Sequence, residues 1–377
     1  MGALVVVDAR YLKGRPSGIG AYVHALLTRA PARAPDLRFE AWMPAAGPEL
    51  PGVTKTVVSA GANSIPTVFW PRRLADVPED AVFHATFNLL GFGMPRRAVT
   101  TVHDLMWVEQ PTLCEGVTPA TPFLAAFYRT GIQHALTASR RLIAISRATA
   151  DSILRRHPEL GPRLHVIHHG VEARFRPAAS VDGVRRRLEP RVGSEPYLLV
   201  VGQNAPYKNH EAILRAFAAA ELTGVRLVLL QRLYQTGRFG LGREPTLARL
   251  TRQLGISDRV TWLSGLDDDE VVALVQGALG LVQFSRFEGF GMPALEALAC
   301  GTPVIASDIP PLVEVLGGAG LHAGLQGSEL PALMKRLATE PGLRAELSAK
   351  SLERAQQFSW DRCAEEHLAV YREAAAG

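Results

Sequence analysis

Arg286-Phe287-Glu288-Gly289-Phe290-Gly291-Met292-Pro293-Ala294-Leu295-Glu296 is the stretch on which the reading of this chain turns. A largely apolar run, Leu279 to Phe284, precedes it. So short a run without a clear period fits a central parallel strand buried on both faces. Such a strand delivers the following loop to the carboxyl edge of a sheet, where ligands collect. Gly289 and Gly291 permit a tight turn and close approach to a ligand, Pro293 suits the start of a helix running through Cys300, and Gly301 stops it. That helix aims unsatisfied N–H groups and the positive end of its dipole at the edge, a seat for phosphate. Glu288 and Glu296 cannot be there to hold phosphate. Carboxylates accept paired hydrogen bonds from vicinal hydroxyls, so a sugar and a ribose on either side of a diphosphate account for both. Taken singly, Glu296 reads as a dipole-compensating residue and Glu288 as a solvated loop carboxylate; their spacing around the glycine loop favours the ligand reading.

The longer setting, Glu-Gly-Phe-Gly-Met-Pro-Ala-Leu-Glu-Ala-Leu-Ala-Cys-Gly-Thr-Pro-Val-Ile-Ala-Ser from Glu288 to Ser307, resembles the signature of the family 4 retaining glycosyltransferases. The resemblance implies the GT-B fold, two Rossmann-like doubly wound α/β domains facing across a cleft. It also implies that Glu288 contacts the donor sugar, Glu296 the nucleotide ribose, and the backbone of Gly289, Phe290, Gly291 and Met292 the diphosphate and sugar. No metal ion or other cofactor is expected.

The 377 residues suggest two or three domains. A net charge of +5, spread along the chain with no base-reading motif, suits an anionic ligand or membrane surface rather than nucleic acid. Cys114, Cys300 and Cys363 are odd in number and without metal-ligand spacing, which points to structural thiols in a reduced cytoplasm. The chain enters a strand at Leu4 to Val7 without a basic leader, and no apolar run approaches about eighteen residues, so neither secretion nor membrane spanning is expected.

Strand signals recur at Phe39 to Met43, Ala81 to His84, Ala98 to Val102 and Leu142 to Ile145, with helical stretches between, the alternation of a parallel doubly wound sheet. A first domain is expected over 1–177, a linker rich in Arg, Pro and Gly over 178–195, and a nucleotide-sugar-binding domain over 196–359. The resemblance implies that the last helix, 360–377, packs back on the first domain. After the first strand, Ser17-Gly18-Ile19-Gly20 opens a helix, and the resemblance places Gly18 and Gly20 near the donor. His103 and Asp104 end the strand from Ala98, where an imidazole can bond a sugar hydroxyl and a carboxylate can orient an acceptor. His84 has a similar strand-end position and a weaker claim. His168 and His169 invite a metal reading, but no third ligand lies at suitable spacing, and they are read as structural. Asp267 to Glu270 also tempts a metal reading; Asp267 with Glu270 three residues on is an acidic helix cap instead.

In the second domain Pro206-Tyr207-Lys208-Asn209 resembles the family's diphosphate-binding lysine motif, which assigns Lys208 to the donor. The family's usual Arg after the preceding glycine is Gln203 here, so Arg286 or Arg232 is expected to supply a second cation. The residues add up to a metal-independent, retaining hexosyltransferase using a nucleotide-diphosphate sugar. The Asp8-Ala9-Arg10, Ser17-Gly18-Ile19-Gly20 and His103-Asp104-Leu105 set is most similar to bacterial mannosyltransferases of polysaccharide assembly, which inclines the donor to GDP-mannose over UDP-glucose. The acceptor is a saccharide, lipid-linked or small-molecule hydroxyl. A nucleotide-sugar epimerase and a non-catalytic nucleotide-sugar binder are the rival readings. Ile65 to Leu74, with Arg72 and Arg73, is a candidate for peripheral membrane contact, although Phe69 and Trp70 are expected in the core.

Overall fold

The computed structural model describes residues 2–13, 18–115, 120–231 and 246–376. The chain divides into two compact units, one of residues 1–112, 117–170 and 358–377, the other of residues 113–116 and 171–357. In the first, β1 (Ala3–Asp8), β2 (Leu37–Met43), β3 (Val53–Val57), β4 (Val82–Ala85), β5 (Val99–Val102), β6 (Arg141–Ala144) and β7 (Leu164–Val166) form a parallel sheet. Its order among the described residues is β3-β2-β1-β4-β5-β6-β7. The second sheet, β8 (Tyr197–Val201), β9 (Arg226–Leu230), β10 (Val260–Leu263), β11 (Gly280–Gln283), β12 (Val304–Ser307) and β13 (Leu321–Ala323), is also parallel, in the order β10-β9-β8-β11-β12-β13.

The central strands are apolar throughout because helices cover both faces of a parallel sheet: Val5 to Val7, Leu281 and Val282 are all fully buried. The edge strand β3, Val-Thr-Lys-Thr-Val, has no fully buried residue and so no apolar run to announce it. β7 and β13, three residues each, also close their sheets at an edge.

Two sequence expectations need correction. Most of the stretch expected as a linker, residues 181–192, is a helix of the second unit, capped by Ser180 Oγ accepting from Gly183 N at 3.1 Å. Val184, Leu188 and Val192 recur every fourth residue and form its apolar stripe, with Leu188 and Val192 buried; the arginines between them mask the period. Phe69 and Trp70, expected in the core, are 40% and 51% exposed.

The last helix, Trp360–Ala375, belongs to the first unit and buries one face against it. Gly170 lies against its start, where a Cβ would come 2.1 Å from Trp360 N. A buried hydrogen-bond chain then fastens the helix to the sheet. His367 Nδ1 donates to the Cys363 carbonyl at 2.7 Å, so the neutral ring's Nε2 accepts from Tyr22 Oη at 2.7 Å. Tyr22 Oη in turn accepts from Thr101 Oγ1 at 2.9 Å. Thr101 Oγ1 accepts from His84 Nε2 at 2.9 Å, and His84 Nδ1 accepts from Tyr371 Oη at 2.7 Å. Each ring supplies one donor and one acceptor, so the order of protons is fixed along the chain. His84 is therefore a packing residue, fully buried and bonded at both nitrogens.

Candidate functional site

In the second unit the helix Met292–Cys300 starts where the sequence places it, with Pro293 in its first turn and Gly301 in the left-handed conformation at its end. Gly291 caps it at φ 113°, where any side chain would be strained, and a Cβ there would meet Leu312 Cδ2 at 2.6 Å. Lys208 comes from the turn after β8 and Glu288 from the loop after β11, strands adjacent in the sheet. Their side chains meet at Nζ to Oε1, 2.7 Å, each only 11% exposed. Gln283 Nε2 at 2.9 Å and Ser285 Oγ at 2.7 Å donate to the same oxygen. Three donors on one oxygen fix the carboxylate's rotation. Ser285 is itself held, its carbonyl accepting from Ser307 Oγ at 2.5 Å. Burial depresses the Lys208 ammonium, but the Glu288 charge, the Tyr207 hydroxyl and the hydrogen bond outweigh it, and the net shift is upward. Lys208 therefore stays cationic beside the helix N-terminus.

Gln203 and Arg286 are exposed, and Arg286 N donates to the Tyr207 carbonyl at 2.7 Å, tying the Glu288 loop to the Lys208 turn. Glu296 is half-buried one turn into the helix, and Phe290 is buried. Arg232 lies outside the described residues. Asp267 accepts from Glu270 N at 2.8 Å while Glu270 accepts from Asp267 N at 2.9 Å, the reciprocal cap expected of that acidic run.

In the first unit His103 and Asp104 follow β5 at its carboxyl end. Asn88 holds both, accepting from His103 N at 2.7 Å and donating to the Asp104 carbonyl at 2.9 Å. His103 Nε2 donates to the Thr86 carbonyl at 2.8 Å, which keeps Nδ1 as the ring's acceptor. Burial lowers its pKa to about 4 against that hydrogen bond, so the ring is neutral near pH 7. Asp104 Oδ1 accepts from Met106 N at 2.9 Å. Gly18 caps the helix Ile19–Arg33 at φ 53°, and Gly20 is buried within it; Ser17 lies outside the described residues. His169 is buried against Tyr22 and Trp360, consistent with a packing role.

Residues 185–349 match the glycosyl transferases group 1 family. The chain belongs to the group 1 glycosyltransferases. It is 32% identical over 292 residues to a D-inositol 3-phosphate glycosyltransferase of Streptomyces bingchenggensis, covering 74% of this chain and 62% of that one. To the Rhodococcus erythropolis protein of the same name it is 34% identical over 295 residues, 75% of this chain and 64% of the other. The chain thus spans under two thirds of these relatives. Among solved structures, a sucrose-phosphate synthase from Thermosynechococcus elongatus superposes with a TM-score of 0.72 at 20% identity, each chain fully covered. Anabaena HepE, in complex with UDP and glucose, gives 0.70 at 15%, with 99% of this group 1 chain and all of HepE covered. These likenesses establish the GT-B fold.

Sequence reasoning about this group 1 chain missed Gln283, Ser285 and Asn88 as supports of the candidate residues. Gln283, polar at the end of an apolar run and just ahead of Ser285, was the available signal. It also missed the role of Asp8 and Arg10, a buried pair in which Arg10 Nε donates to Asp8 Oδ1 at 2.8 Å and Nη2 to Oδ2 at 2.6 Å. Ser285→Ala is expected to reduce kcat about ten-fold by loosening Glu288, with nucleoside-diphosphate affinity unchanged. Steady-state kinetics alongside calorimetric titration of UDP and GDP would separate the two effects.

Proposed function

We propose that the chain transfers a hexosyl group from a nucleotide-diphosphate sugar to an acceptor hydroxyl with retention at the anomeric carbon. The observation that carries this reading is the largely covered Lys208–Glu288 pair, each side chain 11% exposed, beside the N-terminus of the helix Met292–Cys300. A fixed cation and a row of backbone N–H groups suit the leaving diphosphate, whose growing charge they stabilise. The immobilised carboxylate of Glu288 suits the sugar hydroxyls, and Glu296 suits the ribose. His103 offers a neutral imidazole to the sugar, Asp104 a carboxylate to the acceptor, and Gly18 and Gly20 a close backbone. With Lys208, the helix and Arg286 supplying positive charge, the reaction is proposed to need no metal ion. The departing phosphate takes the acceptor proton on the same face as attack, and trapping a glycosyl-enzyme adduct would overturn that step.

The donor is proposed to be GDP-mannose, on the similarity of the Asp8-Ala9-Arg10 and His103-Asp104-Leu105 segments to bacterial mannosyltransferases. A UDP-sugar is the second reading, favoured by the structural neighbour HepE, described in complex with UDP-glucose. The acceptor is a saccharide, lipid-linked or small-molecule hydroxyl, and the setting a reducing cytoplasm, where Cys114, Cys300 and Cys363 stay reduced. Thermal-shift titration with UDP-glucose, UDP-N-acetylglucosamine, GDP-mannose and dTDP-sugars tests the assignment. One nucleotide is expected to stabilise the protein and Glu296→Ala to weaken its binding about ten-fold, the effect of losing paired hydrogen bonds to ribose. Equal affinity in the variant would remove Glu296 from the site.

A further inference from the structure

Every Phe and Trp exposed among the described residues lies in the first unit: Phe69 at 40%, Trp70 at 51%, Phe92 at 39% and Phe123 at 79%. Three of them make one platform. Phe69 stacks on Phe92 with centroids 5.7 Å apart and planes 14° from parallel, and Trp70 lies 6.2 Å from Phe69. Ile65, 58% exposed, sits one turn before Phe69 on the short helix Ile65–Phe69 and extends the same face. Phe92 rests in turn on the His134 ring, 4.0 Å away.

The two segments are clasped by backbone rather than meeting by chance. Phe92 N donates to the Val68 carbonyl at 2.7 Å, and Arg72 Nε donates to the Gly93 carbonyl at 2.6 Å. Gly91 permits the approach, since a Cβ there would come 2.5 Å from the Thr67 carbonyl and 2.6 Å from Pro71 Cγ. The structure thus spends a close-packed glycine on holding apolar rings at the surface, where burial would have been the favourable outcome.

Charge indicates what covers them. The first unit carries 20 Lys and Arg against 15 Asp and Glu, while the second has 21 of each, so the whole surplus of five falls on the unit with the rings. Arg73 and Arg96 are exposed and border the platform in sequence; Arg72 is paired with Glu79, and Asp76 and Asp80 are nearby in the chain. A second copy would bring the same positive surplus against itself. An anionic lipid surface fits both features, with Trp and Phe entering the boundary between headgroups and acyl chains and arginines facing the phosphates.

We propose that the Phe69–Trp70–Phe92 platform docks the first unit on an anionic bilayer. The docking goes beyond the transfer reading and needs neither donor nor acceptor. Thr67, on the platform's helix, accepts from Arg10 Nη1 at 2.8 Å, and Arg10 follows β1 at the carboxyl edge of the sheet that also presents His103. An acceptor carried on lipid would therefore arrive beside the residues proposed to receive it.

The test is flotation of the full chain with phosphatidylcholine vesicles, with and without phosphatidylglycerol. Binding is expected only with phosphatidylglycerol and is expected to weaken as salt is raised. Trp70→Ser and Arg73→Glu, both at exposed positions outside the proposed site, should each reduce it about ten-fold without altering the thermal midpoint. Trp70→Phe should keep binding but lose the fluorescence quenching by lipids brominated on their acyl chains. Failure of the wild type to float, equal binding to both vesicle types, or unchanged binding in the Ser and Glu variants would each overturn the proposal. So would a lipid-free dimer dissolved by Trp70→Ser, which would assign the platform to a second copy. Activity on a water-soluble acceptor, unaffected by these variants, would show that the transfer reading survives such a failure.

Discussion

Lys208→Met is expected to lower kcat/KM for sugar transfer by about a thousand-fold, the loss typical when a preorganised charge facing a transition-state anion is removed. Methionine keeps the length and apolar character of the lysine stem, so the substitution removes chiefly the ammonium. Two consequences follow from its 2.7 Å contact with Glu288. On the proposed reading the leaving diphosphate loses its fixed cation, and among the described residues Glu288 keeps Gln283 and Ser285 to fix its carboxylate. Those two donors limit the stability loss to about 1–3 kcal/mol, below the cost of stranding a wholly unpaired buried charge. The roles separate in binding experiments. If the second phosphate meets the ammonium as proposed, wild-type protein should prefer GDP over GMP or UDP over UMP by calorimetry, and the variant should lose most of that preference. If the variant discriminates as well as the wild type does, Lys208 serves only to orient Glu288.

That pair also shows how far the sequence could be read. Lys208 and Glu288 were each visible, one in a turn after a strand and one in a glycine loop, but their contact was not, because it depends on β8 and β11 being neighbours in the sheet. Local signals reported local facts well: the Gly291 and Gly301 ends of one helix and the Asp267–Glu270 box all depend on residues within four positions. Central strands were legible because both their faces are apolar. The edge strand β3 was not, since Thr54, Lys55 and Thr56 give it no hydrophobic run. Charge misled the reading of residues 181–192, where arginines surround the apolar stripe of a helix. Aromaticity misled it at Phe69 and Trp70. Hydrophobicity states a preference for burial, whereas the chain turns held by Gly91 and Pro71 decide where those rings go. Arg10 shows the opposite case: a charged strand-end residue is 1% exposed because Asp8 and Thr67 satisfy it.

Acidification from pH 7 to 4 is expected to unfold the first unit well before ordinary carboxylate protonation alone would. Burial lowers the pKa of His103 and of His367 from 6.5 to about 4, and pushes His84 and His169 downward too. A depressed histidine binds fewer protons folded than unfolded, so its contribution is whole above pH 6.5 and is lost as pH falls toward the folded value. Near pH 4 the loss for His103 and His367 is about 3 kcal/mol each, and together this approaches the total stability of an ordinary domain. Glu366, an exposed residue whose carboxyl pKa is raised by desolvation, acts in the other direction and alone. Protonation of His367 has a further effect, because its Nε2 must accept from Tyr22 Oη for the chain through Thr101, His84 and Tyr371 to keep its proton order. An imidazolium there opposes two donors to each other and detaches the helix Trp360–Ala375 from the sheet. Urea unfolding followed through buried Trp42 and Trp360 should therefore show a midpoint that falls steeply below pH 6.5. Trp262 in the second unit should respond less, since among the described residues of that unit the one buried histidine is His210, lowered by burial to about 4. A first-unit midpoint unchanged between pH 7 and 5 would show that these histidines are charged in the folded protein, and the hydrogen-bond order deduced for them would have to be abandoned.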